Sequence, residues 1–209
     1  PTYSTYGNDG PPADDRWWGA TADISFGSSI SYNSDGSIIA IGAPGGDYVK
    51  FLTRGNVEIN INEPTDALSN PLQSRLWYKI VYAIWSDKGN IQGTNSHEFG
   101  SAIALNSTGD IIAVASKGTT TVPGYVQLFK NDSGTTWTQI GSNINDSLTV
   151  NDYKNIEYTT GVFDEHSNVS LTLNSAGNIV TIGVQGYDGD GTDKGAVFVY
   201  EWDNGTDFT

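Results

Sequence analysis

The sequence contains no cysteine and no methionine. Without cysteine there is no disulfide, no thiolate nucleophile and no cysteine-ligated zinc site. Pro1 stands where an initiator methionine would, which reads as a processed or partial chain. Basic residues are scarce: 10 Lys and Arg stand against 24 Asp and Glu, a formal net charge of −14. Phosphate backbones and anionic membrane surfaces repel such a chain, so neither nucleic acid nor a membrane is an expected partner. The acidity serves solubility first and a divalent cation second. No apolar run approaches the ~18 residues of a membrane span.

Glycine, by contrast, is abundant at 25 residues, and only 16% of residues are charged, a balance that suits short strands joined by polar turns. Long helices would draw on more Ala, Leu, Glu and Lys. The apolar share of 37% is enough for a core, so the chain is not disordered.

Self-comparison shows a repeat. Phe26-Gly27-Ser28, Asn33-Ser34-Asp35-Gly36 and Ile38-Ile39-Ala40-Ile41-Gly42 recur as Phe99-Gly100-Ser101, Asn106-Ser107-Thr108-Gly109 and Ile111-Ile112-Ala113-Val114-Ala115. A third copy lacks Phe-Gly but keeps Asn174-Ser175-Ala176-Gly177 and Ile179-Val180-Thr181-Ile182-Gly183. The turn glycines Gly36, Gly109 and Gly177 thus recur about every 70 residues. A glycine-led strand follows in each copy, at Gly55-Asn56-Val57, Gly124-Tyr125-Val126 and Gly195-Ala196-Val197. A tryptophan-led strand opens at Trp77 and Trp137, and Trp17-Trp18-Gly19 is a candidate counterpart.

Each copy has a physical reading. Ile30 and Tyr32, Ile103 and Leu105, and Val169, Leu171 and Leu173 alternate with small or polar neighbours, the period of a strand with two unlike faces. Asn-Ser-x-Gly supplies a hairpin turn in which Gly takes positive φ. Ile38 to Ile41 is apolar without alternation, as a strand covered on both faces would be. Aromatic and β-branched residues make Leu72 to Trp85 a strand rather than a helix.

These motifs resemble the FG-GAP-like β-propeller repeats of marine bacterial, algal and large-virus surface proteins. The likeness is best at Phe26-Gly27-Ser28, Trp137 to Gly141 and Gly195 to Tyr200, and it departs at the lost Phe-Gly and at the insert 142–167. It implies an all-β fold, a propeller or partial propeller of three four-stranded blades. The whole chain, 1–209, would be one domain with approximate repeats 17–76, 77–136 and 137–209. Asp132-Ser133-Gly134-Thr135-Thr136-Trp137 also resembles the Asp-box hairpin of sialidase propellers, with Lys130 in place of its serine. There the aspartate would accept from turn N–H groups while the tryptophan packs beneath.

Asp188, Asp190 and Asp193, separated by glycines and Thr192, form the strongest candidate site, for calcium. The competing reading is a polar loop, since the other copies carry Gly45-Gly46-Asp47 and Lys117-Gly118-Thr119 there. Asn8-Asp9-Gly10 with Asp14 and Asp15 is a weaker acidic turn. His97 and His166, each beside a glutamate, occupy corresponding repeat positions, which favours a structural role over a catalytic pair. No Gly-x-Ser-x-Gly elbow exists, and Arg16, Arg54 and Arg75 are too dispersed for a sialidase. Asn106, Asn131, Asn145, Asn168 and Asn204 open glycosylation sequons, with Asn106 and Asn131 the leading acceptors because they fall in turns.

The expected function is a non-catalytic extracellular or surface module, on a cell or virion, that binds protein or carbohydrate. The alternative is a structural subunit of a fibre, virion or cell-surface assembly; a glycoside hydrolase ranks below both. Three blades are too few for a ring, which usually has about four to eight. Residues 16–24 could supply a missing strand, but a second chain or a longer polypeptide is the expected source of closure.

Overall fold

The computed structural model describes residues 24–62, 77–94, 98–117, 124–144, 168–185 and 195–202, together with Trp17, Gly19 and Thr21. Among these residues there are eleven strands: β1 Ser29–Tyr32, β2 Ile38–Ala43, β3 Tyr48–Asn62, β4 Trp77–Gln92, β5 Phe99–Leu105, β6 Ile111–Ser116, β7 Tyr125–Ser133, β8 Thr136–Ile144, β9 Asn168–Leu173, β10 Ile179–Gln185 and β11 Ala196–Glu201. A single 3-10 turn, Pro44–Gly46, joins β2 to β3. The strands form three antiparallel sheets, ordered β1-β2-β3-β4, β5-β6-β7-β8 and β11-β10-β9. The all-β class is as expected; where three four-stranded blades were expected, the described sheets have four, four and three strands and do not close on one another.

The Asn-Ser-x-Gly turns produce the first hairpin of every sheet. The Oδ1 of Asn33 accepts from Ile38 N–H at 2.9 Å, and that of Asn174 accepts from Asn178 and Ile179 N–H at 3.0 and 3.1 Å. Asn106 Oδ1 takes three N–H groups, from Gly109, Asp110 and Ile111, at 2.9 to 3.1 Å. An amide side chain thus mimics a backbone carbonyl inside the turn. Gly36, Gly109 and Gly177 have φ of 67°, 74° and 79°, which a Cβ would strain.

The sheets lie face to face, with the second covered on both sides. Ala40, Val49, Phe51 and Ile91 of the first sheet meet Phe99, Ile103, Leu105, Ile112, Val114 and Phe129 of the second. Ala102, Ala113, Ala115, Val126 and Leu128 line its other face and meet Val180, Ile182 and Val184 of the third. The unalternating run in β6 is thereby explained, because its odd and even residues both find a neighbouring sheet. In β2 Ala40 to Ala43 are buried, and Ile38 and Ile39 are partly so.

One local expectation is corrected and two others gain detail. The third strand of the first copy begins at Tyr48, not Gly55; Gly42 pairs with Val49 and Ala40 with Phe51. Those pairings match Ala115 with Val126 and Ala113 with Leu128 in the second sheet. Asp47, at φ 52°, occupies the left-handed position taken in the third copy by Gly195, so the glycine marker was lost from the first. Its carboxylate accepts from Phe99 N–H at 3.1 Å, a link to the second sheet that glycine could not make.

Second, the tryptophan-led strands, read as the fourth element of each copy, complete its sheet as expected: β4 pairs with β3 and β8 with β7. Hydrogen-bonded sheets are therefore offset by one strand from repeats counted at tryptophan. Third, β3 and β4 outrun the rest of their sheet, with Gly55 to Asn62 paired only to Ile84 to Trp77 as a two-stranded ribbon. Of the strand expected over Leu72 to Trp85, residues 72–76 lie outside the described residues and the remainder is strand, as expected.

Candidate functional site

The three turns are stacked. Ser34 donates to Ser107 O through both its N–H, at 3.0 Å, and its hydroxyl, at 2.9 Å. Ser107 repeats both bonds to Ser175 O, at 3.3 and 2.9 Å. The serine of Asn-Ser-x-Gly is consequently the residue that links copies, while asparagine shapes the turn. Farther along the first strand, Ser29 Oγ donates to Gly100 O at 2.7 Å and Ser31 Oγ accepts from Leu105 N–H at 2.9 Å. Small hydroxyl side chains allow the first and second sheets to approach this closely.

Charge near the turns is tied to the same geometry. Partial burial pushes the Asp110 carboxyl up, but hydrogen bonds from Thr108 and Asn106 and the charge of Lys130 leave it below its ordinary value of 3.8. The Ser37 hydroxyl and N–H hold exposed Asp35 low as well, the N–H at 2.9 Å. These carboxylates finish turns and converge on no shared point. Lys50 pairs with Asp87 across β3 and β4.

The Asp-box likeness needs correction. Asn131, not Asp132, holds the β7–β8 turn, its Nδ2 donating to Thr136 O at 2.9 Å and Gly134 O at 3.3 Å. Asp132 pairs instead with Lys130 at 3.3 Å. Trp137 does pack beneath, stacked on Phe51 of the first sheet with centroids 4.1 Å apart, and its indole N–H is buried without a partner.

Asp188, Asp190 and Asp193 lie outside the described residues, as do His97, His166, Arg16, Arg75, Asn145, Asn204 and residues 8–15. Arg54 is exposed at the base of the ribbon. Among the described residues no three His, Asp or Glu side chains converge as metal ligands. No described helix is long and apolar enough to cross a membrane. Of residues 16–24, Gly19 lies against Ile24 and Phe26, and Ile24 O accepts from Gly45 N–H at 3.1 Å, beside the first sheet.

Asn106 is 3% exposed, and its Nδ2 donates to Thr108 Oγ1 at 2.9 Å and Asp110 Oδ1 at 2.8 Å. A glycan on that nitrogen would break one of these bonds and displace the packing around it. Asn131 is less buried, though its amide is engaged as described.

A shallow groove of about 550 Å³ crosses the end of the third sheet, where Asn168, Ser170, Gln185, Ala196 and Val197 line it. None of the described residues that line it is titratable. More conspicuous are exposed apolar side chains at three places: Ile30 and Tyr32 on β1, Val57 and Val81 on the ribbon, and Val197 and Val199 on β11. Sequence periodicity placed these residues on strands, but only neighbouring sheets decide which are covered.

No protein-family model matches the sequence, and no curated protein matches it. Among solved structures the chain is similar to a 6-phosphogluconolactonase-like protein from Bacteroides uniformis, at 11% identity and a TM-score of 0.44. That likeness covers 87% of this chain and 38% of the other, so the chain spans well under half of that protein's length. A likeness of this size bears on neither the chemistry nor the partners of the chain.

Proposed function

We propose that the chain is a non-catalytic β-propeller module of the extracellular or surface type, with its three sheets as successive blades and protein or carbohydrate as its ligand. The observation that carries this reading is the repeated sheet-to-sheet register, Ser34 to Ser107 to Ser175. Stacked four-stranded sheets related by one repeated contact are how propellers are built. The described polar side chains at the turns are engaged in shaping them, which favours a scaffold over a reaction centre. Recognition falls to segments that depart from the repeat, since a rigid frame with variable projections commonly binds this way. The β3–β4 ribbon is such a projection, with Val57 and Val81 exposed on it.

Binding is tested on a glycan array and by capture of surface proteins, comparing the native chain with Val57→Asp and Val81→Asp. Saturable binding lost in the ribbon variants supports the reading; binding unaffected by them moves recognition elsewhere. Turnover of glycoside or lactone substrates, abolished by one point substitution, would overturn the non-catalytic assignment. A second reading, a structural subunit, is favoured by the uncovered apolar residues on the outer sheets.

A further inference from the structure

Hydrogen-bond register makes the three sheets superimposable residue by residue. Ile30, Ile103 and Leu171 are equivalent, as are Tyr32, Leu105 and Leu173. On the third strands Val49, Val126 and Val197 correspond, and so do Phe51, Leu128 and Val199. Each internal contact joins unlike faces. The first sheet sends Val49 and Phe51 toward Ile103 and Leu105 of the second, and the second sends Val126 and Leu128 toward Leu171 and Leu173 of the third.

The outer faces are the unused halves of this contact. Val49, Phe51, Val126 and Leu128 are all 0% exposed, whereas Val197 and Val199 are 70% and 63% exposed. At the other end Ile103 and Leu105 are buried, whereas Ile30 and Tyr32 are 57% and 58% exposed.

Backbone and shape agree with side chains. Ser34 and Ser107 each donate twice to the next copy, and among the described residues no acceptor faces Ser175, while Ser34 O has no donor of this kind. A Cβ on Gly109 would lie 2.8 Å from Ile38 Cδ1, and one on Gly177 would lie 2.7 Å from Ile111 Cδ1, because each isoleucine seats on the next turn. A Cβ on Gly36 would meet no described residue within 4 Å, and Ile179 is the equivalent isoleucine with no described turn beneath it. Likewise Gly100 is packed against Gly42 and Tyr48 of the first sheet, while its equivalent Gly27 meets no described residue.

We propose that the outward face of the third sheet docks on the outward face of the first sheet of a second copy, in the register of the internal contacts. Two copies joined twice in this way close a ring of six sheets. Val197 and Val199 then cover Ile30 and Tyr32, Ser175 donates to Ser34 O, and Ile179 seats on Gly36. The contact is heterologous, and such contacts close when the rotation per copy divides a full turn. Six falls within the usual propeller range of about four to eight blades. The proposal rests on the propeller reading above.

Sedimentation and light scattering from micromolar concentration upward test it. The native chain is expected at twice its mass of 22.4 kDa. Val199→Lys and Ile30→Lys each place a charge in the contact and are expected to be monomeric alone. Mixed together they regain a dimer, since one unlike pair of faces is intact. Gly36→Asn, which tolerates positive φ, is expected to weaken association about tenfold by overpacking while leaving the melting temperature of the monomer unchanged. A native monomer at all concentrations, homodimers of both lysine variants, or open-ended polymers would overturn the two-copy ring. Gly109→Asn separates the two levels of inference: it clashes with Ile38 inside the chain and is expected to lower the melting temperature. If it does not, the stacked-sheet reading itself fails; if it does while Val199→Lys leaves association untouched, only the docking fails.

Discussion

Replacing the turn asparagines one at a time should expose unequal contributions from a motif that looks uniform. Asn106→Ala deprives Asp110 and Ile111 N–H of their side-chain acceptor, and Gly109 N–H keeps only Asn106 O at 3.2 Å. It also removes two donated bonds, to Thr108 and Asp110. A buried donor without a partner costs about 1–3 kcal/mol, and water reaches Asp110 in part, so the expected loss is about 2–4 kcal/mol. Asn174→Ala frees two N–H groups and one donated bond, for about 1–3 kcal/mol. Asn33→Ala frees one of each, for about 1 kcal/mol. Urea unfolding followed by tryptophan fluorescence reads the order through the midpoint at constant slope. Asn106→Asp is the control: it keeps the acceptors but sets a second carboxylate where Nδ2 faces Asp110 at 2.8 Å. That variant should be less stable than native at neutral pH and recover as pH falls. Equal losses at all three positions, or the largest at Asn33, would refute the account of the turn.

Acid should erode stability partly through Asp110. Its folded pKa lies below its unfolded value, so its contribution is present above about pH 4 and is lost as pH falls through the folded pKa. Asp110→Asn should flatten the acid limb of stability against pH; an unchanged limb would contradict this. Phe51→Ala removes a fully buried ring stacked on Trp137 and should cost about 3–5 kcal/mol in chemical unfolding, with a loss under about 1 kcal/mol excluding that ring from the core. Millimolar calcium should raise the melting temperature relative to chelator by binding at Asp188, Asp190 and Asp193, and Asp190→Asn should abolish the difference. No difference in the native chain would remove the calcium assignment.

The repeat was legible because its carriers are local. Asn-Ser-x-Gly sets a turn whatever surrounds it, and strands on either side follow from alternation or its absence. The tryptophan-led strands were legible both as strands and as the fourth element of their copies, because each follows the third strand of a copy in sequence and pairs with it. The third strand of the first copy was misplaced for a chemical reason: Asp47 adopts the left-handed conformation without glycine, aided by the bond its carboxylate makes to Phe99 N–H. Gly55, inside a ribbon and pairing with Ile84, was the decoy. At the β7–β8 turn, the acid at 132 drew attention from Asn131, whose amide reaches the carbonyls of the turn.

Burial of the end sheets was beyond the sequence altogether. Val197 and Val199 stand at the same positions of the sheet as Val126 and Leu128, and nothing local separates 0% from 70% exposure. What separates them is whether a further sheet lies beyond. A stack of like sheets always leaves one face of each kind unmatched, and the two kinds are complementary by construction because every internal contact joins them. Solubility would ordinarily select polar caps at such ends. The third sheet does carry Ser170, Thr172 and Thr181 outward, where the second has Ala102, Ala104 and Ala113. Yet Val197, Val199, Ile30 and Tyr32 keep the apolar character of the internal contact. The first sheet carries Ser29 and Ser31 at the places of Ser170 and Thr172 within an internal contact, so these polar residues are compatible with docking, and a contact between separately folded copies should depend on protein concentration where the internal contacts do not.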